Sequence, residues 1–190
     1  LVGGSGAEAN RIEGNTLLGK GAQTYGVLMG GRRNVVTNNT IFGHAAIGIS
    51  LSNAASSNLV AGNAIYSNTL YGIRLIGAAV DENRLIGNSI RGPGQNIGVD
   101  IAQGDGNLVY SNQVRGNVTQ GISLITDAAS NRIARNGIAS NGANGVYLNG
   151  AFVNANIIES NTIFGGPSQD AGIFLLDGDA WGSSLCLAAG

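Results

Sequence analysis

The sequence predicts an all-β fold, a parallel β-solenoid of about seven coils with 24–25 residues and three short strands in each. Three observations carry that prediction. The pattern Asn-x-aliphatic-x-x-Asn-x-aliphatic begins at Asn10, Asn34, Asn58, Asn83, Asn107, Asn131 and Asn156, with successive starts 24 or 25 residues apart. A second pattern, Gly-aliphatic-x-aliphatic, follows each start by 14 to 16 residues, at Gly26, Gly48, Gly72, Gly98, Gly121, Gly145 and Gly172. Within both patterns the apolar residues stand two apart, the period of a strand and not of a helix.

Each element of a coil has its own column. The first strand centres on Ile12, Val36, Val60, Leu85, Val109, Ile133 or Ile158, two residues after the leading Asn. The second centres on Leu17, Ile41, Ile65, Ile90, Val114, Ile138 or Ile163, seven after it. The third, opened by Gly, carries two inward columns: Val27, Ile49, Ile73, Val99, Ile122, Val146, Ile173, then Met29, Leu51, Leu75, Ile101, Leu124, Leu148, Leu175. All of these positions are aliphatic. Strands this short bury no face alone, so unit must stack on unit, and a spacing of roughly 4.8 Å between strands gives seven coils a length on the order of 34 Å.

The two Asn columns need a physical reason, because a buried amide without partners costs about 1–3 kcal/mol. Stacked at one corner of every coil, each Asn donates to its neighbour on one side and accepts from the other, an asparagine ladder. Asn also tolerates the left-handed backbone that corners require. Asn63, Asn88 and Asn112 are therefore read as structural and not as ligands.

Composition narrows the function. Gly and Asn together fill 55 of 190 positions, charged residues are 11%, hydrophobic residues 43% and the net charge is -1. A chain this aliphatic and this weakly charged buries a core and does not stay disordered. Ten Lys and Arg against eleven Asp and Glu provide no basic face for phosphates, so a nucleic-acid partner is set aside. The single Cys186 makes no intrachain disulfide and does not fix the redox compartment. No apolar run is long enough for a transmembrane helix, and no signal peptide opens the chain.

At its repeat residues, from Asn10 to Leu175, the sequence resembles the right-handed parallel β-helix repeat proteins of the pectin-lyase-like superfamily. Asn-x-Ile-x-x-Asn followed by Gly-Ile-x-Leu is similar to the carbohydrate-binding and sugar-hydrolase repeats of alginate C5-epimerases and NosD-like proteins. The resemblance implies a single-stranded, right-handed helix in a secreted, cell-surface or periplasmic protein that holds or acts on polysaccharide. Alginate epimerases carry a Tyr-Gly-Phe-Asp-Pro-His segment. Here Tyr25-Gly26-Val27-Leu28-Met29 and Tyr71-Gly72-Ile73-Arg74-Leu75 lack its Asp-Pro-His portion.

Candidate binding residues lie at the outward position of the Gly-led strand, because inward residues are committed to packing. That position holds Leu28, Ser50, Arg74, Asp100, Ser123, Tyr147 and Phe174 along the rod. Arg74, Asp100, Ser123 and Tyr147 form the expected substrate-binding strip, with an aromatic to stack on a sugar ring and charges for hydroxyls or a uronate carboxylate. A second constellation uses the only Lys and the only His. Lys20 and His44 each stand ten residues after a leading Asn, at the same exposed turn of successive coils, with Tyr25 and Tyr71 nearby. These four are the candidate catalytic residues, since proton abstraction beside a uronate carboxylate needs a base and an opposing acid.

No cofactor is expected. The turns Gly104-Asp105-Gly106-Asn107 and Asp177-Gly178-Asp179 resemble calcium turns, yet neither offers five or six oxygen ligands at regular spacing. No Cys/His cluster marks a zinc site. The whole chain, 1–190, reads as one domain, a segment of a longer solenoid or an uncapped stacking unit, with 176–190 a degenerate C-terminal coil or cap. Leu1-Val2 resembles the tail of a Gly-led strand, which points to open ends and end-to-end self-association. Insertions between repeats are too short to wall a deep cleft. The favoured reading is a non-catalytic polysaccharide-binding or surface structural module. The alternatives are a lyase or C5-epimerase on an acidic glycan, and a filament subunit.

Overall fold

The computed structural model describes residues 6–176 and 186–188, so the readings placed on Leu1-Val2, Asp177, Asp179 and most of 176–190 lie outside the described residues. Within them the chain winds through three parallel sheets, with no helix among the described residues. The first sheet holds Arg11–Glu13, Val35–Thr37, Leu59–Ala61, Arg84–Ile86, Leu108–Tyr110, Arg132–Ala134, Ile157–Glu159 and Cys186–Ala188. The second holds Thr16–Leu18, Thr40–Phe42, Ala64–Tyr66, Ser89–Arg91, Gln113–Arg115, Gly137–Ala139 and Thr162–Phe164. The third holds the longer Gly-bearing strands, Tyr25–Met29, Ile47–Leu51, Tyr71–Ile76, Ile97–Ala102, Gln120–Ile125, Asn144–Asn149 and Ala171–Leu176.

Every strand pairs with its equivalent one coil away, never with its neighbour in sequence. Register follows the aliphatic columns: Val99 pairs with Ile73 and Ile122, and Leu85 with Val60 and Val109. Those columns fill the interior, fully buried through the middle coils, and Ala55, Val80, Ala128 and Val153 add a further column near the corner that follows the third sheet. At the last coil the core is incomplete and Leu175 is exposed.

The asparagines close two corners. In the column Asn15, Asn39, Asn63, Asn88, Asn112, Asn136 and Asn161, each backbone N–H donates to the side-chain oxygen one coil on, at 2.8–3.0 Å. Each side-chain amide donates to that same oxygen at 2.9–3.1 Å. The second amide hydrogen goes back to a main-chain carbonyl of the preceding coil, as Asn112 Nδ2 does to Leu85 O at 2.9 Å. The column from Asn10 to Asn156 repeats the backbone bond at every step.

The left-handed backbone is not supplied by these asparagines. It belongs to the residue before each of them: Gly14, Asn38, Gly62, Gly87, Ser111, Arg135 and Ser160 in one column, and Ala9, Arg33, Ser57, Glu82, Gly106, Ser130 and Ala155 in the other, all with φ between 52° and 68°. Asn is therefore selected at the corner for its side chain, which serves three groups at once. Its backbone is ordinary.

Candidate functional site

The third sheet aligns Leu28, Ser50, Arg74, Asp100, Ser123, Tyr147 and Phe174 in one outward row, one residue per coil. Arg74 Nε donates to Asp100 Oδ2 at 3.0 Å, and the guanidinium lies over the ring of Tyr71, 4.4 Å from its centroid. Tyr71 belongs to the same strand as Arg74, so a cation–π contact from below and a carboxylate from the next coil fix the guanidinium plane. Five of the expected residues, Tyr71, Arg74, Asp100, Ser123 and Tyr147, thus share one face.

The row is less exposed than its outward direction suggests. Asp100 is fully buried, and Ser50 and Ser123 are buried with it, while the Arg74 side chain keeps 23% of its surface. Asp100 and Ser123 therefore do not meet a polymer directly, a correction to the strip expected of a solvated sheet face. Short polar side chains in a row of longer ones are covered by their neighbours. Burial pushes the Asp100 carboxyl above its ordinary pKa, against the pull of the Arg74 charge. Its second oxygen, Oδ1, is buried without a hydrogen-bond partner.

Tyr147 stacks on Phe174 with centroids 5.6 Å apart, and its hydroxyl accepts from Asn149 Nδ2 at 2.8 Å. One ring face is therefore committed within the protein.

The Lys20 and His44 constellation is not assembled. His44 is buried, its backbone N–H donates to Asn68 Oδ1 at 3.2 Å, and its Nδ1 stands 3.0 Å from the same oxygen. It belongs to a third amide column that continues through Asn68, Gln95, Asn117 and Asn141. Lys20 is exposed in the left-handed conformation, and it is Gly19 that stands over the His44 ring. Tyr25 is 40% exposed and borders an open depression of about 430 Å³ lined by Ala22, Gln23, Thr24, Gly26 and Leu28. Tyr71 lies two coils from Tyr25, with Ile47 between them.

Asp105 spends its carboxylate on the backbone, accepting from Ala129 N at 2.8 Å, and its own N–H donates to Asp81 Oδ1 at 2.9 Å. No group of three or more His, Cys, Asp or Glu side chains gathers among the described residues. Among the described residues, no helix is long and apolar enough to cross a membrane.

A family model described as "Right handed beta helix region" matches residues 3–97 and 25–183. The chain belongs to the right-handed β-helix family. As a β-helix it is similar in fold to the periplasmic alginate epimerase AlgG, with a TM-score of 0.74 and 18% identity over 96% of this chain and 46% of that one. It is also similar to the A-module of the Azotobacter vinelandii mannuronan C-5 epimerase AlgE4, with a TM-score of 0.70 and 18% identity over 87% of this chain and 48% of the other. The chain spans about half the length of either. No curated protein sequence matches it.

One outward row was missed in the sequence. On the second sheet Leu18, Phe42, Tyr66, Arg91, Arg115, Ala139 and Phe164 align one per coil, each eight residues after its leading Asn. That fixed offset was the available signal.

Proposed function

We propose that this β-helix is a non-catalytic module that binds acidic polysaccharide along its third sheet, in a periplasmic or extracellular setting. The observation that carries the reading is the mounting of Arg74. Its guanidinium is held by buried Asp100 and by Tyr71 and still reaches solvent. A planar, preoriented guanidinium pairs well with a carboxylate, and holding it in place reduces the entropy lost on binding. The fold similarity to two alginate epimerases supports a uronate polymer as the ligand. The shallow coil surface suits a chain lying along the rod. Titration of the protein with alginate and polygalacturonate, against neutral dextran, tests this: uronate binding that weakens about tenfold in Arg74→Gln is expected, and equal binding by both proteins removes the site.

A second reading, a lyase or C5-epimerase, is favoured by Asp100 alone. The stretch Ile97-Gly98-Val99-Asp100-Ile101-Ala102 keeps the Gly and Asp of Tyr-Gly-Phe-Asp-Pro-His, and Asp100 has an unpartnered oxygen. Ile101 and Ala102 replace Pro and His, and Asp100 is covered. Ultraviolet absorbance of unsaturated uronates, with proton NMR for epimerisation, separates the two readings. Turnover abolished by Asp100→Asn would establish the enzyme.

A further inference from the structure

We infer that the second sheet carries another anion-binding strip, formed by Arg91 and Arg115 and backed by Tyr66, that takes carboxylate groups of an acidic polysaccharide. Arg91 and Arg115 face each other in register in adjacent coils. Like charges directly opposite one another on a sheet destabilise it. Both side chains are exposed, and like Arg84 and Arg135 neither makes a salt bridge among the described residues, but only Arg91 and Arg115 stand directly opposite one another. In a chain so sparing of charge, two guanidiniums side by side repel each other, and a bound anion would relieve that repulsion.

The neighbours prepare them for one. The Arg91 guanidinium lies over the Tyr66 ring, 5.5 Å from its centroid, and Tyr66 stacks in turn on Phe42 at 4.9 Å with planes 13° apart. The aromatic pair is thus a backing for Arg91, its ring faces already occupied, and not a sugar platform. Beside the cations runs a second outward row with Ser89, Gln113 and Gly137, whose hydroxyl and amide suit sugar hydroxyls and whose glycine keeps the surface low. The cations are spaced by one coil, roughly 4.8 Å along the axis. A carboxylate of a polyuronate lying along the rod can be held between the two. Two cations on a chain of net charge -1 do not suit the phosphate density of nucleic acid.

The ligand class rests on the function proposed above, but the residues are different and lie on another sheet. Binding of alginate and polygalacturonate to the whole chain is measured by calorimetry for the wild type, Arg74→Gln, the double variant Arg91→Gln/Arg115→Gln, and all three changes together. The unfolding midpoint of the double variant should be no lower than that of the wild type, because both residues are exposed and their mutual repulsion is removed. Strips on separate sheets bind independently, so the double variant is expected to weaken one of two binding events about tenfold or more and leave the other, Arg74→Gln to do the reverse, and the triple variant to weaken both. Unchanged binding in the double variant beside a loss in Arg74→Gln overturns this strip and keeps the third-sheet site. Loss in the double variant alone supports this strip and removes the other. No uronate binding by the wild type overturns both.

Discussion

Arg74 and Asp100, neighbours across one coil step, form an ion pair in which the acid is fully buried and the base still reaches solvent. The pair is therefore asymmetric. Arg74 is the charged partner of Asp100, with the Ser123 side chain beside it, while Arg74 also rests on Tyr71.

Arg74→Ala should destabilise the protein by about 3 kcal/mol at neutral pH, because it strands a buried carboxylate. Asp100→Asn should cost less, since the amide is neutral and replaces the carboxylate in shape. Urea unfolding of both variants at pH 7 makes the comparison; Arg74→Ala being the milder change would contradict the asymmetry.

The same pair sets a pH dependence. A buried acid whose folded pKa is raised binds its proton more tightly in the folded chain than in the unfolded one. Its contribution to stability is therefore most favourable at low pH and declines as pH rises from the unfolded value through the folded one. Removing Arg74 raises the folded value further, so the penalty of Arg74→Ala should shrink as pH falls from 7 toward 4. A penalty that does not shrink on acidification would show that Arg74 does not lower the Asp100 pKa in the folded chain.

The coil plan was legible because the leading asparagines, the Gly-led strands and the aliphatic columns agree on one period. The third-sheet row was legible too, since period two decides which residues point outward. Its burial was not, because whether Ser50, Asp100 and Ser123 are covered depends on the size of side chains in adjacent coils. His44 was misplaced although the signal was present: Asn68, Asn117 and Asn141 also stand ten residues after a leading Asn. That offset belongs to an inward amide column and not to an exposed turn.

His44→Asn should therefore be nearly neutral, within about 1 kcal/mol, because Asn is what the column carries in Asn68, Asn117 and Asn141. His44→Ala leaves Asn68 Oδ1 without both the imidazole and part of its packing, and should cost about 1–3 kcal/mol. Neither change should alter glycan binding. A selective loss of binding in His44→Asn would return His44 to a functional role.

An interior ladder residue should be costlier. Asn112→Ala removes donations to Leu85 O, Tyr110 O and Asn136 Oδ1 and takes the acceptor from Asn88 N and Nδ2. Several buried groups lose partners together, so about 3 kcal/mol or more is expected. Equilibrium unfolding of Asn112→Ala beside Asn15→Ala, whose site is exposed in the first coil, should show the smaller effect at Asn15.

Corner and strand glycines should respond differently to Ala. At Gly98 an added Cβ meets Val114 Cγ1 and stands 2.5 Å from Gly121 O, a main-chain atom of the next coil that cannot yield without disturbing the stack. Gly98→Ala should cost more than 3 kcal/mol, beyond ordinary overpacking. At Gly87 nothing lies within 4 Å, and the cost is only that of a left-handed alanine at φ 63°, about 1 kcal/mol. Ser111 occupies the equivalent corner one coil on, at φ 55°, so Ser111→Gly should stabilise the protein by about 0.5–1 kcal/mol. The three measurements together isolate backbone strain from steric contact. Equal costs at Gly98 and Gly87 would mean that the close approach of coils at Gly98 relaxes freely.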